Sequence, residues 1–304
     1  MELIFLGTGA GTPSKERNVS SLVLNLLSER NSFWMFDCGE GTQHQILHSS
    51  IRIGRLEKIF ITHLHGDHIF GLPGLLSSRS MAGSQDPLTL YGPPGIKAFV
   101  ETALNLSGSY LTYPLEIIEI QPGKVMEDQQ FCVTALPLMH GIESFGYRIE
   151  EADKPGTLNA SRLLADGVPV GPVFQRLKMG GQVQLDDGRV INGQDYLGPA
   201  QKGRVLAIFG DTSPCDNSLV LAKDANVMVH ETTLEASMAE QANSRGHSTT
   251  QQTAELAKAA GAKRLIITHF SARYGMEESQ RLLVECQEIF PQTEMASDLA
   301  IFTL

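Results

Sequence analysis

The stretch Ile61-Thr62-His63-Leu64-His65-Gly66-Asp67-His68 constrains this chain more than any other. It follows Lys58-Ile59-Phe60-Ile61, a short run whose branched and aromatic residues read as a strand. Side chains alternate between faces in extended chain, so His63 and His65 point the same way. Gly66 then permits a sharp turn, and Asp67 and His68 fall where a helix begins. Three imidazoles and a carboxylate converge within one turn, enough for two adjacent metal ions. A lone histidine is usually an ordinary surface or core residue. Four ligating groups within six residues are a site.

Other candidates occupy the same topological place, the end of a strand. His140 ends Leu136-Pro137-Leu138-Met139-His140, Asp211 follows Val205-Leu206-Ala207-Ile208-Phe209-Gly210, and His269 ends Leu265-Ile266-Ile267-Thr268-His269. In α/β sheets such ends are where sites gather. Together they supply the further ligands a two-metal centre needs. Strand-like runs at 2–6, 21–27, 33–36, 58–62, 88–91, 115–120, 131–136, 145–149, 205–209, 226–229, 264–268 and 299–303 come from both ends of the chain. Helix-period stretches at about 42–49, 69–78, 95–106, 215–223, 234–242, 249–260 and 276–289 alternate with them. The expected fold class is α/β (α+β in some schemes), with helices packed outside sheets in one layered domain over 1–304.

One segment has a different texture. Between Glu150 and Lys202, Pro155, Pro169, Pro172 and Pro199 mix with eight glycines, and a helix is expected only at about 159–165. Breakers this dense predict a loop-rich excursion rather than core. A chain of 304 residues with 42% apolar and 19% charged residues is otherwise ordinary globular material. The longest apolar run is Val205–Phe209, far below the ~20 residues of a membrane span. No membrane association is expected. The opening Met-Glu-Leu-Ile-Phe-Leu lacks a signal peptide's basic start, and Cys38, Cys132, Cys215 and Cys286 are too far apart for a small disulfide scaffold. A reduced, cytoplasmic protein is expected.

Net charge is −10, which taken alone argues against a polyanionic partner. The excess is uneven. Residues 61–147 carry −5 and residues 205–304 carry −6, whereas residues 1–60 are neutral and residues 148–204 carry +1. Part of the acidic excess is the candidate metal-binding carboxylates themselves.

These motifs resemble the metallo-β-lactamase superfamily, whose HxHxDH signature is matched by His63, His65, Asp67 and His68. Within it the chain is most similar to the ribonuclease Z family of tRNA 3′-processing endonucleases, in short form. The narrower matches are Phe36-Asp37-Cys38-Gly39-Glu40-Gly41-Thr42-Gln43, the loop Pro13-Ser14-Lys15-Glu16-Arg17-Asn18, Phe209-Gly210-Asp211-Thr212, His230-Glu231-Thr232-Thr233 and Gly246-His247-Ser248-Thr249. They span the whole chain.

The resemblance implies an αβ/βα four-layer sandwich with a flexible arm inserted at 150–204 that grips the tRNA body, including Gly171-Pro172. It implies two zinc ions per subunit, with manganese or iron also suited to such ligands. One ion falls to His63, His65 and His140, the other to Asp67, His68 and His269, with Asp211 shared and Asp37 behind a ligand histidine. Asp67 is then the proton acceptor, and His247, oriented by Glu231, the proton donor or phosphate ligand. The substrate is precursor tRNA, cut just after the discriminator nucleotide by a homodimer. Lys15, Arg17, Arg273 and Tyr274 are expected to touch RNA. Small-molecule hydrolases of the superfamily share HxHxDH but leave the basic loop and the arm unexplained, and a metal-retaining RNA-binding protein without activity is a further alternative.

Two patterns are set aside. His44 and His48 lie four apart on an expected helix but lack the glutamate of a zinc-protease helix. Gly7-Thr8-Gly9-Ala10-Gly11-Thr12 lacks the last glycine of a dinucleotide loop and runs into Pro13, so no nucleotide cofactor is expected. It reads instead as a tight turn bringing backbone N–H groups near the site.

Overall fold

Two seven-stranded sheets carry the chain in this computed structural model, which describes residues 1–304 apart from the side chain of Met276. The first runs edge to edge through Ile301–Thr303, Glu2–Gly7, Ser21–Leu26, Ser32–Phe36, Leu56–Phe60, Leu88–Gly92 and Leu115–Glu119. The second runs through Thr293–Met295, Leu265–Thr268, Val227–Glu231, Val205–Ile208, Phe145–Glu151, Phe131–Pro137 and Gly123–Glu127. Its central strands pair in parallel, Leu206 opposite Val227 and Met228 opposite Leu265. Parallel strands are covered on both faces, so they read as continuous apolar runs rather than alternating ones.

Alternation along Ser32–Phe36 shows how the layers form. Phe33 and Met35 pack with Leu72, Leu75 and Leu76 of helix Leu72–Met81 and with Ile96 and Val100 of helix Ile96–Leu106. Phe36 faces the other way and stacks on Phe60 at 5.1 Å, and Phe60 on Tyr91 at 4.9 Å. Tyr147, from the second sheet, meets Phe36 and Phe60 edge-on at 6.0 and 5.4 Å. Its hydroxyl donates to the Ile61 carbonyl at 2.6 Å. Aromatic pairs in this geometry contribute ~0.5–1.5 kcal/mol each beyond their burial. On the far side Ala254, Ala257, Leu282 and Cys286 cover the second sheet from helices Thr250–Ala259 and Met276–Ile289. The architecture is an α/β four-layer sandwich, helices–sheet–sheet–helices. Gly123–Glu127 went unread in the sequence because its residues are half-buried or exposed throughout.

Asp128–Cys132 and Glu150–Arg204 form a second compact unit. This corrects the expectation of a loop-rich excursion with one short helix. Helices Ala160–Ala165 and Pro172–Lys178, a hairpin of Gln182–Gln184 with Val190–Asn192, and a 3₁₀ turn at Gly193–Tyr196 close around Leu163, Val168, Leu177 and Ile191. The apparent breakers sit at element boundaries. Pro172 occupies the first turn of its helix, where no N–H partner is lost, and Gly188 takes the hairpin turn at φ +87°.

Candidate metal centre

Every candidate ligand lies just beyond the end of a strand, where the backbone stops pairing and can turn side chains inward. The loop 61–68 leaves Leu56–Phe60, and Asp37 follows Ser32–Phe36 with φ +57°. Asp211 follows Val205–Ile208, Glu231 closes Val227–Glu231, and His269 follows Leu265–Thr268 with φ +59°. Left-handed backbone at a non-glycine residue costs free energy, and it concentrates where a side chain must be aimed. Gly39 admits the loop: a Cβ there would lie 2.3 Å from the Asp67 carbonyl oxygen.

The structure brings His63, His65, Asp67, His68, His140, Asp211, His247 and His269 together. Asp211 is at the middle, 4% exposed, and its two oxygens face different partners. Oδ2 lies 3.7 Å from His63 Nε2 and 4.0 Å from His140 Nε2. Oδ1 lies 3.5 Å from His68 Nε2 and 3.3 Å from His269 Nε2. Asp67 Oδ2 lies 3.5 Å from His68 Nε2 and 3.6 Å from His269 Nε2, and also accepts the Gly11 N–H at 2.8 Å. His63, His65 and His140 offer ligand atoms all within 4.8 Å of one another, as do Asp67, His68 and His269.

Three observations fit these groups to divalent cations. First, Nε2 of His63, His68 and His269 is buried without a hydrogen-bond partner, a costly state for a polar atom unless something else binds it. Second, His140 Nε2 and His65 Nδ1 face each other at 3.1 Å. Third, the outer nitrogens are tied down. His68 Nδ1–H donates to Asp37 Oδ2 at 2.7 Å and His140 Nδ1–H to the Gly246 carbonyl at 2.8 Å, which leaves Nε2 of each to face inward.

The electrostatics agree. Burial pulls the His63 imidazole well below its ordinary value, with His68 beside it adding to the effect. Burial would likewise lower His68, but Asp211 and Asp37 outweigh it and raise the ring well above its ordinary value. The field that favours a proton on His68 favours a metal cation there. Burial would raise Asp211, yet His269, His68 and His63 hold it well below the carboxylate range. Burial opposes the same lowering at Asp67, where His269 and His68 prevail.

Beside the cluster, His247 Nδ1 lies 3.0 Å from Glu231 Oε1. Burial would lower the ring, but Glu231 raises it to about 9. Thr249 caps the following helix through a capping box with Gln252, while Ser248 donates to the Thr212 carbonyl at 2.6 Å. His230 stays outside, its ring 4.6 Å from that of Phe209.

The expected RNA contacts fare differently. Lys15 and Arg273 are exposed. Arg17 is not: it is 5% exposed, its Nη1 donates to Thr8 Oγ1 at 2.7 Å and to the Ala296 carbonyl at 3.1 Å, and its guanidinium lies 4.4 Å from the Phe270 ring centre. It ties the N-terminal loop to the chain end, and the expectation that it touches substrate is withdrawn. Tyr274 is corrected likewise. It is 7% exposed in the apolar core of the second sheet, and its hydroxyl accepts the Glu235 N–H at 3.1 Å, so no ring face is free to stack a base. Sequence reading missed Thr62 and Thr233, whose hydroxyls stand behind His63 and His269. Only their adjacency to motif residues could have flagged them.

Relatives are plain at this point. The ribonuclease BN of Erwinia tasmaniensis is 64% identical over 302 residues, covering 99% of each chain, and that of Cronobacter sakazakii 61% identical over 304 residues, covering 100% of each. The chain belongs to the ribonuclease BN family. It is accordingly a metal-dependent nuclease of the metallo-β-lactamase fold. Among solved structures, the short form of human tRNase Z is 31% identical and superposes with a TM-score of 0.73, over 100% of this chain and 99% of that one. A family model described as anti-Pycsar protein Apyc1 matches residues 1–147. Among the described residues no helix is long and apolar enough to cross a membrane.

Proposed function

We propose that this ribonuclease BN family member is a two-zinc endonuclease that cuts precursor tRNA 3′ of the discriminator nucleotide, leaving a 3′-hydroxyl on the tRNA and a 5′-phosphate on the trailer. The observation that carries the reading is the division of Asp211, one oxygen toward His63 and His140 and the other toward His68 and His269. A carboxylate so placed suits a pair of cations that share it. His63, His65 and His140 would hold one ion, and Asp67, His68 and His269 the other, with manganese an acceptable substitute. Held by those residues, such a pair would supply an acidified water and positive charge for a phosphodiester.

The chain's own groups do the rest. Asp37 orients the His68 ring. Gly11 N–H holds Asp67 Oδ2, and Asp67 takes the proton of the attacking water. His247, kept protonated to about 9 by Glu231, donates to the departing 3′-oxygen of the tRNA. Lys15 and Arg273 would meet the RNA near the site, and the unit at 150–204 would bind the tRNA body for a partner subunit in a cytoplasmic homodimer. The ribonuclease name of the bacterial relatives and the tRNase Z name of the human structure support the substrate class.

The test is incubation of zinc- or manganese-loaded protein with a 3′-extended precursor tRNA, followed by mapping of the product end. Cleavage at the discriminator is expected, and Asp67→Ala should slow it by ~10²–10⁴-fold. Absence of cleavage there with either metal would overturn the assignment.

A further inference from the structure

Two threonines outside the ligand set occupy equivalent positions in the two halves of the centre. Thr62 N–H and Oγ1 donate to Asp37 Oδ1 at 2.7 Å and Oδ2 at 2.8 Å. An ionised carboxylate only accepts, so the hydroxyl proton is committed to Asp37. The Thr62 oxygen, 3.0 Å from His63 Nδ1, must therefore accept from that ring. Thr233 repeats the arrangement: its hydroxyl donates to Glu231 Oε2 and its oxygen lies 2.9 Å from His269 Nδ1. In both cases the proton is fixed on Nδ1 and the lone pair on Nε2, the buried atom that has no hydrogen-bond partner.

We infer that Thr62 and Thr233 are positioning residues for metal binding, relays that make Asp37 and Glu231 each govern two histidines at once. Asp37 holds His68 directly and His63 through Thr62. Glu231 holds His247 directly and His269 through Thr233. The inference rests on the two-ion reading and deepens it: Glu231 orients the proton donor and also sets the tautomer of a metal ligand. The Glu231 end is saturated, since Oε1 accepts Thr212 N–H at 2.8 Å besides His247, and Oε2 accepts Thr233 N–H at 3.3 Å besides the hydroxyl. An amide there would meet donors with its own NH₂ whichever way it turned, so Glu231→Gln also breaks the relay.

The experiment is calorimetric titration of the metal-free full chain with zinc, counting ions and affinities, for wild type, Thr62→Val, Thr233→Val, the two Ser variants and Glu231→Gln. Each Val variant should weaken one of two sites by ~10–100-fold, the usual effect of losing an outer hydrogen-bond partner, while Ser restores it. Glu231→Gln should weaken the site affected by Thr233→Val. Thermal melting of the metal-free proteins separates misfolding from the effect, and ¹⁵N-histidine spectra of a folded Val variant should show the ring losing its single Nδ1–H tautomer. Val variants that bind two ions with wild-type affinity, or keep the tautomer, overturn the inference. Wild-type protein that binds two ions but does not cut precursor tRNA would overturn the functional reading and leave the relays standing.

Discussion

The unit bearing the ligand cluster buries Trp34, Phe60 and Tyr147 completely and spreads its core over two seven-stranded sheets. The unit made of Asp128–Cys132 and Glu150–Arg204 closes on Leu163, Val168, Leu177 and Ile191 with a few half-buried neighbours. The first must hold ligand atoms to within ~0.5 Å, and it does so with strand ends, positive-φ residues and hydroxyl relays. Among the described residues the second has no non-glycine residue at positive φ, and its main ion pair, Glu151 with Arg204 and Lys154, joins its two ends rather than aiming ligand atoms. Residues 148–204 carry +1 where residues 205–304 carry −6, so on the proposed reading this region would repel a polyanion less than the acidic segments do. Chemistry demands over-determined geometry; on the proposed reading, gripping a large shaped substrate does not.

The largest expected effect breaks the comparison outright. Removing residues 155–198 should abolish precursor-tRNA cleavage, a loss of roughly 10²-fold or more because many phosphate contacts go at once, while turnover of a small chromogenic phosphodiester is retained. Parallel assays of both substrates decide it. Equal loss of both activities would mean that the second unit supports the centre itself.

A smaller effect comes from Leu177→Ala. Emptying one position of so small a core should cost about 2–5 kcal/mol within that unit. Limited proteolysis should then cut between Ala160 and Asn192, with small-phosphodiester turnover unchanged. If the main unit's melting fell in step, the two would not be independent.

The smallest concerns pH. Burial would raise Glu151, but hydrogen bonds from Arg204 and Lys154 hold its carboxyl down at about 2. A folded-state value below the unfolded one contributes stability above the ordinary 4.5, lost as pH falls through about 2. Protection of the helices Ala160–Ala165 and Pro172–Lys178, taken as hydrogen exchange relative to the intrinsic rate at each pH, should therefore fall on acidification in wild type, and Glu151→Gln should flatten that dependence between these two values. An unchanged profile would remove Glu151 from the account.

Much of this was legible beforehand. Expected helices at 95–106, 249–260 and 276–289 fall within a residue of Ile96–Leu106, Thr250–Ala259 and Met276–Ile289, since period and boundary residues are local signals. The ligand candidates were visible because each ends a strand. The second unit's core was not, because its four residues are scattered from 163 to 191 with no period to betray them. Arg17 and Tyr274 show the same limit: sequence gives a side chain's chemistry but not its direction.

By itself, then, the sequence determined most of the strands and helices of the larger unit and the histidine- and carboxylate-rich character of their ends. Local periodicity and residue chemistry suffice for that. Only the tertiary structure decided which oxygen of Asp211 faces which histidines, that Thr62 and Thr233 fix ring tautomers, and that Arg17 points inward to Thr8 and Ala296. Each of those facts depends on atoms brought together from strands and loops far apart in the chain, and hydrogen bonding at that range is set by packing, not by neighbours in sequence.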